Sequence, residues 1–251
     1  MDNLALLDLS KQLKLHGIFG SLEVRLEQAK EHKLSYEELL TLLLEDQLQY
    51  QKQQSLHRRI TQAKFEEPKS FENFDLKRYS LEANHLVRNL MTGAFLADKQ
   101  HVIIMGPVGT GKTHLAQALG LLACQKNLKV CFIRTNDLLN KFHQAKADET
   151  WLKVFNQMSK YDVLLLDDFG LKALSPEQSS DLYDLIAAIH IKTNIIITTN
   201  RKIEGLSEVF YDQVMANAAL DRIINKAYQI ILDGESYRKK FIPKVEKIAN
   251  K

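Results

Sequence analysis

Two short stretches carry residue types that can do chemistry together. The first is GPVGTGKT, Gly106 to Thr113, set between the apolar run HVIIM and the helical stretch KTHLAQALGLLACQ. Gly106, Gly109 and Gly111, with Pro107, Val108 and Thr110 between them, let backbone N–H groups approach an anion without interference from Cβ atoms. A helix starting at Lys112 points its unpaired N–H groups and the positive end of its dipole at the same place. Strand, glycine-rich turn and helix in that order are what a P-loop requires. Lys112 is then the cation for the β and γ phosphates of a nucleoside triphosphate. Thr113 offers a hydroxyl to Mg²⁺, and the ATP-contacting stretch extends to His114.

The second stretch is VLLLDD, Val163 to Asp168. Four apolar residues ending in two acids describe a buried strand with carboxylates at its carboxyl end, the edge where open α/β sheets bind ligands. Asp167 is the expected Mg²⁺ partner, through water. Asp168 is placed to orient or deprotonate an attacking water. A further run, NIIITTN, ends in Asn200, a polar residue that can hold such a water at a neighbouring strand tip or simply cap a turn.

The elements that must position these groups are legible in outline. HVIIM, VCFIR, DVLLLD, NIIITT and YQIIL alternate with helical stretches, which reads as βαβ units around a parallel five-stranded sheet covered on both faces. Residues 1–67 read as a small all-α N-terminal domain and 68–251 as the α/β domain. No Gly or Pro falls between Ser21 and Phe65. Gly17 and Gly20 are expected to flank a helix break, and Ser35 with Glu38 forms a capping box for a third helix running to about Lys64. Pro68 is expected to end the helical region.

Composition narrows the class. Hydrophobic residues at 45% and charged residues at 26% indicate a folded chain, and a net charge of +3 does not by itself announce nucleic acid. Cys124 and Cys131 sit among apolar residues and are expected to be buried and reduced. No signal peptide and no membrane-length apolar run is visible, so a cytoplasmic protein with no membrane partner is expected.

The motif set resembles the AAA+ superfamily. GPVGTGKT stands as Walker A, LLLDD as Walker B and Asn200 as the polar sensor. ALDRI carries Arg222 where that superfamily keeps an arginine finger acting in trans, and GESYR carries Arg238 in the manner of the second sensor. LLLDDFG, ITTNR, LDRI and GESYR together are similar to the IstB/DnaC group, best to its IstB-like ATP-binding helpers of insertion-sequence transposases. The resemblance implies an AAA+ P-loop NTPase core, an ATPase using ATP and Mg²⁺, and an ATP-dependent homo-oligomer. Two departures stand out. Asp168 replaces the usual Glu, which suggests slow hydrolysis. A full helical lid is expected to be lacking, which leaves the role of Arg238 open.

The implied function is a DNA transposition helper that assembles on duplex DNA, selects a target and recruits an IstA-type transposase. A DnaC-like helicase loader on single-stranded DNA is the alternative, and a small-molecule kinase fits less well. DNA contacts are expected from Lys141, Lys146 and Lys153, with His143 beside them, in the two-helix stretch TNDLLNKFHQAKADETWLKVFNQMSK. Lys52, Arg58 and Arg59 form a second candidate patch and the basic C-terminal run a third. No base-reading arrangement is apparent, so backbone contacts with little sequence preference are expected.

Overall fold

The five apolar runs become the strands of one sheet. The computed structural model describes residues 4–67, 69–234 and 236–237. Its strands are β1 (His101–Met105), β2 (Val130–Arg134), β3 (Val163–Asp167), β4 (Asn194–Thr199) and β5 (Ala227–Ile231), all parallel in the order β2-β3-β4-β1-β5. The helices are α1 (Leu4–Gln12), α2 (His16–His32), α3 (Tyr36–Ala63), α4 (Leu81–Met91), α5 (Ala94–Ala97), α6 (Lys112–Gln125), α7 (Thr135–Ala147), α8 (Trp151–Met158), α9 (Pro176–Ile189) and α10 (Gln213–Ile224).

The sheet order follows from burial. Every residue of β1, β3 and β4 is buried, whereas the edge strands β2 and β5 are partly exposed. The Ile- and Leu-rich runs therefore take the centre, where both faces need apolar cover. Helix starts are set by polar side chains: Ser175 and Gln178 form a reciprocal box at α9 with Pro176 in its first turn, and Asp212 accepts the Met215 N–H at α10. Cys124 and Cys131 are free and buried, and burial pushes both thiols up to about 11.

The chain divides into two compact units, Met1–Arg58 and Arg59–Lys251. That division falls inside α3, earlier than the boundary expected after residue 67. In the first unit Arg25 of α2 grips Asp46 of α3 through two hydrogen bonds of 2.8 Å, and that guanidinium holds the carboxyl down at about 2. The capping box at Ser35 and Glu38 is present. Gly17 and Gly20, however, do not break a helix; α2 runs through both, and the chain turns at Lys14, where φ is +57°. Gly17 instead permits close helix contact. A Cβ there would stand 2.6 Å from the Gln47 Cα, and the Gly17 N–H donates to Gln47 Oε1 at 2.8 Å. Pro68 and Arg238 lie outside the described residues, as does the run beyond it.

His101 gives the sheet a measurable pH response. It is fully buried on β1, its Nδ1 accepts the Ile195 N–H at 3.1 Å, and burial lowers its pKa to about 4. The unfolded chain binds this proton near pH 6.5 while the folded one resists it down to about 4. The stabilisation is therefore complete above pH 6.5 and is lost as pH falls toward 4. Urea unfolding across that window should show a shallower pH dependence for His101→Gln than for the unmodified chain. Parallel pH profiles would contradict the assignment.

Candidate functional site

The chemistry-bearing residues converge because β4 lies between β1 and β3. The P-loop leaves the carboxyl end of β1, the two acids end β3, and Thr198, Thr199 and Asn200 end the strand between them. Three loops distant in sequence thus open on one edge of the sheet.

The P-loop has the backbone its glycines allow. Gly109 has φ +82°, and a Cβ there would stand 2.1 Å from Ser236 Oγ, so only glycine fits. Gly111 precedes α6 and contributes no side chain to cap it, and the first turn of α6 contains no acid. The helix start is in this way kept receptive to an anion. Lys112 is buried, and its Nζ donates to the Pro107 carbonyl at 2.7 Å; the Thr110 hydroxyl donates to the same carbonyl at 2.9 Å. Val108 is exposed at the loop tip. His114 Nε2 pairs with the Ser70 carbonyl at 2.9 Å, and its ring lies beside Phe74.

The two acids have different environments. Asp167 is 3% exposed. Its Oδ1 accepts hydrogen bonds from Thr113 Oγ1, at 2.9 Å, and from Thr198 Oγ1. Burial raises its pKa, the two hydroxyls pull it back, and the neighbouring Asp168 and Glu66 charges raise it further. Asp168 is half-buried and sits in left-handed backbone at φ +54°, a conformation that Asp tolerates better than most residues. Its N–H donates to Thr198 Oγ1 at 3.0 Å, and the Phe169 N–H to the Thr198 carbonyl at 2.8 Å. A cavity of about 130 Å³ follows, lined by Asp168, Gly170, Asn200 and Arg201 among others. It is large enough for a few waters. Arg201 Nε donates to the Gly170 carbonyl at 2.8 Å and closes this turn against β4.

The oxygens of Thr113 and Asp167 suit Mg²⁺, which binds through one or two carboxylates together with phosphates and water. No group of three His, Cys, Asp or Glu side chains gathers among the described residues, so no all-protein metal cage competes with that arrangement.

The remaining candidates are more dispersed. The Arg222 guanidinium folds back on its own helix, donating to the Ala218 carbonyl at 2.5 Å and lying 5.3 Å from the Tyr183 ring centre. Lys146 is held by Glu177 at 2.9 Å and Asp181 at 2.7 Å. Burial opposes its charge, but hydrogen bonds to Asp181 and Glu177 outweigh burial and raise its pKa. His143 also stands 3.8 Å from Glu177. Lys141 is half-buried, while Lys153 is exposed on α8. Lys52 and Arg58 are exposed on α3, and Arg59 donates to the Cys124 carbonyl at 2.9 Å and to Asn127 Oδ1 at 2.7 Å.

Two residues at the site escaped the motifs. Thr198 contacts both acids, and its only sequence signal is its place in TTN, beside the strand that ends in DD. Tyr79 donates its buried hydroxyl to the Thr110 carbonyl at 2.7 Å, from a segment with no motif at all.

Among known proteins, residues 8–244 match the family described as IstB-like ATP binding protein. An insertion-sequence protein of Mycobacterium tuberculosis, named for ATP binding, is 35% identical over 235 residues, covering 93% of this chain and 94% of its own. An IS21 insertion-sequence protein of Pseudomonas aeruginosa, also named for ATP binding, is 33% identical over 232 residues, covering 92% and 88%. A DnaC helicase loader structure is similar at TM-score 0.54 and 21% identity, over 64% of this chain and 97% of the other. AMPPCP-bound DnaA from Aquifex aeolicus gives 0.57 at 21% identity, over 73% and 58%. The two structures support the AAA+ fold.

The Thr198 hydroxyl is the point at which the two acids can be tested together. Thr198→Val should slow ATP hydrolysis about 10- to 100-fold, the effect of losing ~1.5–3 kcal/mol from a hydrogen bond to a charged group. ATP affinity should stay within about threefold, because the P-loop remains intact, and Thr198→Ser should recover most of the rate. Steady-state turnover with nucleotide titration measures both; an unchanged rate in Thr198→Val would contradict the role given to this hydroxyl.

Proposed function

The chain belongs to the family of IstB-like ATP binding proteins and is an AAA+ ATPase, and from this premise we propose that it is the DNA-binding helper of a transposase. In this reading it assembles on duplex DNA when ATP is bound, marks that DNA as a target and recruits an IstA-type transposase. The strongest support is likeness over 93% of the chain to a protein named for ATP binding in an insertion sequence.

The chemistry proceeds from the site residues. Amides of Gly109 to Thr113 and the Lys112 ammonium hold the β and γ phosphates. Thr113 and Asp167 would hold Mg²⁺, the latter through water, and the ion neutralises phosphate charge. Asp168 and Asn200 flank the small cavity and fix a water there. Asp168 accepts a proton from this water as its oxygen attacks the γ-phosphorus in line, and ADP leaves with the electrons of the broken P–O bond. A carboxylate one methylene shorter than Glu reaches less far, which suits slow turnover and a switch more than a motor.

Arg222 is read as the finger that completes a neighbour's site. This requires its guanidinium to leave the Ala218 carbonyl and the Tyr183 ring, a local side-chain rearrangement of α10. The N-terminal unit offers a surface for protein contacts: Leu40, Leu44 and Leu48, four apart on α3, are each at least half exposed. Of the lysines on α7 and α8, Lys141 and Lys153 are the proposed DNA contacts, because the Lys146 ammonium already serves Glu177 and Asp181.

A helicase loader on single-stranded DNA remains the second reading, since the DnaC loader shares the fold. Fluorescence anisotropy with duplex and single-stranded DNA across a salt series separates the two. ATP should tighten duplex binding, and log affinity should fall with log salt by about 0.9 per phosphate contact. Lys141→Ala with Lys153→Ala should make the slope shallower by about 2 per protomer site, while Lys146→Ala should leave it unchanged. A single-strand preference would favour the loader. An unchanged slope in the double variant would move the DNA face to Lys52 and Arg58.

A further inference from the structure

The GESYR run reaches the P-loop through residues other than its arginine. Beyond β5, the Leu232 N–H donates to the Met105 carbonyl at 2.8 Å, and the Tyr237 N–H donates to the Gly109 carbonyl, also at 2.8 Å. Ser236 lies hard against Gly109, where a Cβ would be 2.1 Å from its Oγ. From a second segment, which lies beside the first, the Tyr79 hydroxyl donates to the Thr110 carbonyl at 2.7 Å. Two successive P-loop carbonyls are thus each held by a donor outside the motif.

These segments also hold each other. The Asp75 N–H donates to Tyr237 Oη at 3.2 Å, and the Ser80 N–H to Asp233 Oδ1 at 3.4 Å. The Arg78 guanidinium lies 3.7 Å from the centre of the Tyr237 ring, and Tyr79 stacks on Phe74 with ring centres 5.3 Å apart. Charge–ring and ring–ring contacts of this kind each add modest stabilisation.

Peptide planarity gives the arrangement a consequence. Within one peptide unit, C=O and N–H point in opposite directions. The Gly109 carbonyl shares its unit with the Thr110 N–H, and the Thr110 carbonyl with the Gly111 N–H. A donor that draws either carbonyl outward therefore turns the paired N–H inward, toward the space where phosphate is cradled. Orientation set before binding need not be set by the ligand, and affinity rises by the ordering cost avoided.

We propose that Tyr79 is a positioning residue for the phosphate cradle, and that it and the loop after β5 form a clamp that pre-sets the P-loop for nucleoside di- and triphosphates. The proposal rests on the nucleotide reading of this loop and adds to it residues from two segments outside Walker A. It predicts selectivity by phosphate number: the clamp orients amides that meet the β phosphate, so a monophosphate gains little from it.

Titration with mant-labelled ATP and ADP, with AMP as competitor, tests this on the full chain. Tyr79→Phe keeps the ring stack and removes the hydroxyl, with its bond to the Thr110 carbonyl and its interaction with the Tyr237 side chain. Its Kd for ATP and ADP should rise about 5- to 10-fold, the loss expected for one net hydrogen bond to a buried carbonyl. AMP affinity should stay within about twofold, while the ligand-free melting temperature should fall by only about 2–4 °C, the cost of one buried hydrogen bond. Tyr237→Ala, which retains the N–H but frees its loop from Arg78 and Asp75, should give a smaller loss with the same phosphate dependence. Equal weakening for all three nucleotides would show a structural role and overturn the proposal. Wild-type binding of mant-ATP with an unaffected Tyr79→Phe would overturn the clamp alone, whereas no wild-type binding would overturn the nucleotide reading with it.

Discussion

Burying the Asp167 carboxylate at the end of β3 disfavours its charged form, and the hydroxyls of Thr113 and Thr198 answer for it from α6 and β4. The backbone of the same residue is held too, since the Thr135 hydroxyl donates to the Asp167 carbonyl at 3.0 Å and ties in the start of α7. Four elements consequently meet at one residue. Shift any of them and a buried acid loses a partner, which costs about 1–3 kcal/mol or more when the group is charged. A buried acid whose charged form is disfavoured suits a cation, because a divalent ion stabilises the carboxylate charge that burial opposes.

Sheet order makes this meeting possible. The chain crosses from β1 to the edge strand β2 before returning through β3 and β4 toward β1. β4 is the last of these to be placed, and it separates the P-loop strand from the acid strand. Thr198 therefore faces Asp167 and Asp168 from one strand away, and Asn200 continues past them to the cavity beside Asp168. The same order leaves β5 beside β1, so the segment after β5 leaves the sheet next to the P-loop and crosses it. Both the catalytic edge and the clamp are consequences of which strands are neighbours.

Much of this was legible in the residue pattern, for local reasons. GPVGTGKT and VLLLDD declare themselves because glycine spacing and a strand-end acid pair have few other uses together. The five strands were readable from apolar runs bounded by polar turns, and the two helices between β2 and β3 from the length of that segment. What was not legible depends on partners far away in sequence. Gly17 looks like a helix breaker until α3 is seen packed against it. Lys146 looks like a surface cation until Asp181 of α9 is placed beside it. Thr198 sits inside ITTNR without a role of its own there and Tyr79 lies in no motif, since a hydroxyl acquires its role only from what the fold sets opposite it.

The proposed role of Thr113 and Asp167 is to hold Mg²⁺ against a bound nucleotide, with the acid buried at the end of β3. Mant-ATP affinity measured with and without Mg²⁺, for the unmodified chain and for Asp167→Asn, tests it most directly. Mg²⁺ should tighten binding at least about tenfold in the unmodified chain, the effect of a charge-neutralising ion worth ~1.4 kcal/mol or more, and Asp167→Asn should lose most of that gain. The same Mg²⁺ enhancement in both proteins would contradict it.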